Sequence, residues 1–445
     1  MILASFALML TMSSTQADFA SQAVAMRTKG LQELGAFSIL EPLVTDIGPR
    51  PAGSINAAKA VEWGKRTMER IGLDNVHLVA CTVPHWIRGT ENVYLVQPGL
   101  RPDKLSACAL GMSVATAPEG LEAEVIEVKS VKECEALGGA AKGKIVFFNG
   151  SFDLSLLNTF AQYGGAVGQR VNGASAAAKL GAVAVLVRSM TTDPDDVPHT
   201  GVVEYDPTSP SIPAAALSIV AANRLSAAIK AGPLKIQMKL SCRMGEDEPS
   251  ADVVGEITGS EKPGEIIVIG GHLDSWDKGR GAHDDGAGIA HVLEAVRLMK
   301  EMGWKPKRTI RVVLFMDEEK SGRGAAAYAA ASVAEKTIAA LETDSGGFAP
   351  RGFSTSVAAG KLDAWLPVLG EFGIEKFRYG GGGGADIGEL GKQGAALFGL
   401  IPESQRYFDY HHSDKDTLDK VNPRELELGA MSVGMLAWMI SETGL

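Results

Sequence analysis

The stretch EIIVIGGHLDSWDKGRGAHDDGAG, residues 265–288, decides how this chain folds. Its first seven residues are almost wholly apolar, as in a parallel strand buried on both faces. Directly after it, Ile289, Val292, Leu293, Val296 and Met299 recur at helical spacing. Strand, loop and helix in that order make one βα unit. The loop between them carries His272, Asp274 and Asp284, residue types that bind zinc when grouped.

Working outward, residues 310–316 read as a second buried strand, 324–333 as an Ala-rich helix and 338–341 as a third strand. Strands alternating with helices predict an α/β fold whose mainly parallel mixed sheet is sandwiched by helices. Ligands of such sheets bind at the carboxyl ends of the strands. Here those ends carry His272 and Asp274, then Asp317, Glu318 and Glu319, then Glu342 and Asp344. Each piece has an ordinary alternative. A His-x-Asp tripeptide is often a surface turn, and a Glu-Glu pair often starts a solvated helix. Asp344 before Ser-Gly-Gly suits a turn, and His411 and His412 could be surface residues. Packing does not explain why all of them converge on strand ends.

Upstream, residues 18–29 and 56–71 look helical, and 76–83 and 92–97 look like strands. The texture changes near residue 100. Residues 105–245 contain short β-like runs at 123–128, 144–148, 182–187 and 236–240, with an Ala-rich helix at 174–180. They read as a smaller α+β unit inserted between a first part, 18–104, and a second part, 246–445, and they hold no candidate catalytic cluster. The net charge of -10 gives no reason to expect nucleic acid or a membrane surface as partner. Four cysteines, Cys81, Cys108, Cys134 and Cys242, stand singly; without Cys-x-x-Cys spacing they suggest buried or free thiols rather than a zinc site. The apolar run 2–12, followed by small residues, reads as the core of a secretory leader cleaved near Ala17, which makes an exported protein the expectation. The basic stretch that normally precedes such a core is missing, so an ordinary N-terminal segment is the other reading.

The segments DIGPRPAGS, VPHWIRGTENV, GGHLDSWDKGRGAHDDGAG, DEEKSGRGA, ETDSGG and HHSDKDT together resemble the family of zinc aminopeptidases and carboxypeptidases with co-catalytic metal centres. The resemblance covers nearly all of the chain after its first residues. It implies a two-zinc exopeptidase cleaving dipeptides or short peptides with free termini through a metal-bridging hydroxide. It also assigns roles: His272 and Asp344 on one zinc, Glu319 and His412 on the other, Asp284 between them, and Glu318 as general base. Asp274 is then expected to accept a hydrogen bond from the His272 ring. His411 is left to support the substrate side or to pack locally. The glycine-rich run at residues 379–390 would line the substrate site, with Gly384 and Asp386 as candidates and Asp386 reaching the substrate's amino group. A flexible loop with a helix-capping Asp is the alternative there.

Arg280, His283 and Lys320 depart from the family pattern. Arg280 or Lys320 near the site would favour an acidic or free-carboxylate substrate. The inserted unit resembles a protease-associated domain, and related enzymes are often homodimers, so a homodimer is implied here. Three other readings share this scaffold: an aminopeptidase, a one-zinc acyltransferase of the glutaminyl cyclase type, and a non-catalytic receptor or binding protein. The full ligand set argues against the last two.

Overall fold

Eight strands form the central sheet of the computed structural model, which describes residues 14–445. In chain order they are β1 (Asp74–Val83), β2 (Glu248–Ile257), β3 (Lys262–His272), β4 (Arg308–Phe315), β5 (Lys336–Glu342), β6 (Pro350–Thr355), β7 (Lys376–Tyr379) and β8 (Ala396–Pro402). Across the sheet the order is β1-β2-β4-β3-β5-β8-β6-β7. The pairs β3–β4, β3–β5, β5–β8 and β6–β7 are parallel; β1–β2, β2–β4 and β6–β8 are antiparallel. This is the mixed, mainly parallel sheet that the apolar runs predict. The apolar run 2–12, on which the expectation of export rests, lies outside the described residues.

Alternation along β3 explains why the strand reads as continuously apolar. Ile267 and Ile269 face one core, with Ile310, Val312 and Leu314 of β4. That core is covered by α1 (Ser14–Glu33), α2 (Ile55–Ile71), α3 (Ala287–Glu301) and α5 (Pro423–Thr443). Ile266 and Val268 face the other core, with Val313 and Phe315, beneath α4 (Arg323–Ala331). Burying each such side chain contributes about 1.5–3 kcal/mol. A sheet so covered leaves only its strand ends for chemistry.

A second eight-stranded sheet has the order Asp103–Leu105, Glu91–Val96, Lys235–Leu240, Leu121–Val128, Ile145–Phe148, Ala184–Arg188, Ala214–Leu217, Ala107–Ala109. It takes in Glu91–Val96 and Asp103–Leu105, so it begins earlier in the chain than the change of texture suggests. Arg88 joins the two sheets. Its guanidinium donates to both carboxylate oxygens of Asp277, at 2.7 and 2.5 Å, and to the carbonyl of Ala109 at 2.5 Å. Trp276 packs edge-on to Trp86, with ring centroids 6.5 Å apart. The four cysteines are free thiols. No helix among the described residues is long and apolar enough to cross a membrane.

Candidate metal centre

The loop after β3 is held at both ends by buried charge. Arg50, fully buried, donates from Nε to the Leu273 carbonyl at 2.6 Å and from its two terminal nitrogens to the carbonyls of Arg280 and Gly281 at 2.9 and 3.0 Å. Asp416 accepts from the N–H groups of His283 and Asp284, at 2.7 and 3.1 Å. Asp285 accepts from the N–H of His272 and from that of Gly288 in the first turn of α3, both at 3.0 Å. Asp285 therefore ties the end of β3 to the start of α3. The peptide between Asp284 and Asp285 is cis.

These supports aim Asp284 into a cluster of acids and imidazoles. Its Oδ1 lies 3.2 Å from His272 Nε2, and its Oδ2 lies 3.1 Å from His412 Nε2. His272 Nε2 also lies 3.7 Å from Asp344 Oδ1, and His412 Nε2 lies 3.1 Å from Glu319 Oε2. All five residues assigned as ligands thus meet, arriving from the ends of three strands, the turn before α3, and the loop after helix Tyr407–Tyr410. Asp317 and His412 have φ of 74° and 59°.

The donor set fits zinc. Asp284 Oδ2, Glu319 Oε1 and Asp344 Oδ1 are buried without a well-formed hydrogen bond. Buried anionic oxygens left this way are costly unless a cation joins them. Imidazole nitrogens and carboxylate oxygens are what zinc takes. Three overlapping groups have ligand atoms within 4.8 Å of one another: Asp284, His411 and His412; His272, Asp285 and Asp344; His272, Asp284 and Glu319. Asp285 is committed to backbone N–H groups. His411 is a rival of His412 for the same oxygen, at 3.7 Å, and stacks on it with ring centroids 3.5 Å apart. Only His412 also reaches Glu319.

Asp274 differs from expectation. The His272 ring nitrogen Nδ1 contacts the Asp274 backbone carbonyl at 3.1 Å, while the carboxylate stands 3.7 Å away. That carboxylate instead accepts from the N–H groups of Asp317 and Glu318, at 2.8 and 3.2 Å. A carboxylate anchors the turn carrying Glu318, while a carbonyl sets the imidazole. Glu318 itself lines a cavity of about 240 Å³ together with Glu319, Asp344 and His412. Burial and the neighbouring Asp344, Glu319 and Asp284 push its carboxyl well above the usual range, against the pull of His272.

Gly384 lines a neighbouring cavity of about 290 Å³, with Glu342 and Asp344. A Cβ at Gly384 would overlap the Glu342 carboxylate. Asp386 is buried beside Glu342, donating its backbone N–H to Glu342 Oε2 at 3.0 Å, and neither of its own carboxylate oxygens is hydrogen-bonded. Arg280 is not brought to the cluster. It contacts the carbonyls of Val44 and Thr45, each at 3.3 Å, and lines a separate surface pocket with Phe37 and Thr417. Lys320 turns away as well, donating to the Ala52 carbonyl at 2.7 Å. His283 stacks on Phe348, centroids 4.4 Å apart, and burial pushes its imidazole down to about 4, so it stays neutral. None of these three residues lines the cavity that holds Glu318.

Sequence reasoning missed two kinds of residue. Arg50 and Asp416 lie inside the motifs DIGPRPAGS and HHSDKDT, and their charge next to the loop and ligand segments was an available signal. Phe160, Tyr163 and Arg170, from the inserted unit, line the cavity with the ligands. Nothing local marks them, and they add walls from the insertion to a cavity whose assigned ligands all come from the rest of the chain.

With this geometry, residues 252–436 match peptidase family M28. Carboxypeptidase Q of Bos taurus is 34% identical over 431 residues, 96% of this chain and 89% of that protein. The chain belongs to peptidase family M28. Carboxypeptidase Q of Homo sapiens is 33% identical to this M28 chain over 432 residues, with the same coverage of 96% and 89%. The crystal structure of a peptidase M28 precursor from Shewanella amazonensis SB2B matches with TM-score 0.92 at 33% identity, covering 97% of this chain and 98% of that one. A zinc aminopeptidase from Bacillus subtilis, BSAP, shares the fold at TM-score 0.65 and 19% identity, over 92% and 95% of the two chains.

Proposed function

We propose that this M28 peptidase is a two-zinc exopeptidase that hydrolyses dipeptides and short peptides with free termini. The observation that carries the reading is Asp284, which turns one carboxylate oxygen to each of two histidines. His272 and Asp344 would hold one ion, Glu319 and His412 the other, with Asp284 shared. Zinc bound there supplies Lewis acidity, polarising the scissile carbonyl and making water a better nucleophile at neutral pH. Glu318 takes the proton from the attacking water as the C–O bond is made, then passes it to the leaving amine nitrogen as the C–N bond breaks. Asp274 keeps Glu318 in place through the backbone. On this reading the substrate's ammonium lies by Glu342, whose Oε1 is buried without a partner on the wall of the cavity beside Asp344. Asp386 lies beside it, its carboxyl pushed well above the usual range by burial and by the neighbouring Glu342.

The test combines metal analysis with one substitution. Two zinc ions per chain are expected, with chelator abolishing hydrolysis of unblocked dipeptides. Glu318→Gln should lower kcat by about 10²–10⁴-fold with zinc retained. Undiminished turnover in that variant rules out the role given to Glu318, and a metal-free native protein rules out the reading as a whole.

A further inference from the structure

Four residues in register cross one face of the central sheet. Glu342 on β5 stands opposite Gly399 on β8, Gly399 opposite Ser354 on β6, and Ser354 opposite Arg378 on β7. Paired residues of neighbouring strands project to the same face. All four line the cavity of about 290 Å³ that Asp344 shares with the cavity holding Glu318. Strands lie about 4.8 Å apart, so three strand steps put about 14 Å of sheet between the acid and the base. Only a glycine and a serine stand between them. Ser354 Oγ lies 3.4 Å from the Gly399 carbonyl, and a Cβ at Gly399 would come within 2.9 Å of that hydroxyl. The row is therefore a trough with opposite charges at its two ends. At one end Glu342 Oε2 accepts from the N–H groups of Asp386 and Ile387, at 3.0 and 3.1 Å, and Oε1 is left without a partner. At the other end Arg378 is exposed, and among the described residues its guanidinium has neither an ion pair nor a hydrogen bond. A solvated arginine is ordinary by itself. This one is the sole cation among the described residues that line the cavity.

We infer that Arg378 is a specificity-determining residue that binds the side-chain carboxylate of an acidic residue at the substrate's N-terminus. The inference rests on the exopeptidase reading and deepens it. With the substrate's ammonium at Glu342 and its scissile carbonyl toward Asp344, the first side chain runs along the trough, over Gly399 and Ser354. A carboxylate at its tip meets the guanidinium, whose planar fork matches it through paired N–H···O bonds. Glutamate suits the trough better than aspartate, because its carboxylate stands further from the ammonium. A lysine there would meet a like charge. An apolar side chain would gain the walls of Phe160 and Ile401 but leave the arginine to solvent. The substrate class is therefore dipeptides and short peptides that begin with glutamate, with aspartate second.

The experiment uses the zinc-loaded protein and a dipeptide panel: glutamyl-, glutaminyl-, leucyl- and lysyl-alanine, with alanyl-glutamate and alanyl-glutamine as the reversed pair. The native enzyme should prefer glutamyl- over glutaminyl-alanine in kcat/KM. That ratio should fall by about 10-fold in Arg378→Gln, as expected on losing a hydrogen-bonded charge pair. Because Arg378 is exposed, the native ratio should also shrink as ionic strength is raised to about 1 M. Arg378→Glu should reverse the preference, favouring lysyl- over glutamyl-alanine. The ratio of alanyl-glutamate to alanyl-glutamine should follow neither substitution. Calorimetric titration of the zinc-loaded Glu318→Gln protein reads the same preference as a difference in Kd, and adding Arg378→Gln should remove it. Equal kcat/KM for glutamyl- and glutaminyl-alanine overturns the inference while the exopeptidase reading stands. So does leucyl-alanine cleaved in preference to glutamyl-alanine, or a ratio that Arg378→Gln leaves in place. A fall confined to the reversed pair overturns it as well, since the cavity would then hold the second residue. Failure of the zinc-loaded native protein to cleave any of these dipeptides overturns the exopeptidase reading and the inference with it.

Discussion

Asp416 shows how a residue outside the ligand set governs the centre. Both of its carboxylate oxygens are occupied by backbone N–H groups, one belonging to Asp284 itself. Asp416→Ala removes both acceptors and frees the backbone that aims the shared carboxylate. Metal affinity should drop by about 10–100-fold, the usual cost of losing a supporting partner, read by competition with a zinc chelator. The two ligand imidazoles lead to a second expectation. Burial alone would lower the pKa of each, but for His272 it is outweighed by Asp274, Asp284 and Asp344, and for His412 by Glu319 and Asp284. Both pKa values are raised, so without metal both rings hold protons at neutral pH. Loading zinc expels those protons. Release should be greatest near neutral pH and decline as pH rises through the raised values, while apparent zinc affinity weakens as pH falls. Calorimetry in buffers of different ionisation enthalpy measures this; zinc uptake without proton release at pH 7 contradicts it. His272, Glu319 and Asp344 stood out as candidates because they follow strand ends within short motifs, whereas the full set of five, with His412 in a loop after a helix, came from the family resemblance. The place of Arg170 on the cavity wall was not legible, since only the fold brings it from 242 residues away to His412.

Legibility also divided along the elements. The strands β3, β4 and β5 stood out because burial on both faces leaves no polar position to interrupt them. The chain beyond β5 did not. β8 is broken by Gly399 and closes on Pro402, and β7 has only 4 residues. Helix α5 is buried at every position from Gly429 to Ser441, so it lacks the polar stripe that gives a helix its period. Order in the loop after β3 comes from Arg50 rather than from local propensity. Arg50→Met would leave three carbonyls, those of Leu273, Arg280 and Gly281, without their donor. Destabilisation of about 3–5 kcal/mol is expected from breaking a buried charged network. Urea denaturation followed by tryptophan fluorescence reads it, and an unchanged midpoint would show the loop to be self-supporting.

Over the whole molecule, the centre gathers segments that lie far apart in the chain, some of them already paired in the sheet. Its ligands come from β3, from the turn before α3, from the segments after β4 and β5, and from the loop before α5. Metal removal should therefore loosen the central unit as a whole. Binding at a thousandfold excess over Kd stabilises by about 4 kcal/mol per site. For a chain of this length that corresponds to a fall in Tm of roughly 4 °C per ion removed. Differential scanning calorimetry before and after dialysis against chelator, with zinc restored as control, gives the measurement. A Tm unmoved by metal would mean the cluster is fully organised by its protein supports alone. Those supports also set an order of events in the making of the protein. Asp284 depends on Asp416, 132 positions later. On the ribosome, His272, Asp284, Glu319 and Asp344 all emerge before the residues that complete and hold the cluster. A nascent chain or a fragment ending short of that segment carries most of the ligands and none of the assembled centre, so the protein is born without hydrolytic capacity and acquires it only as its last ligand-bearing loop folds back.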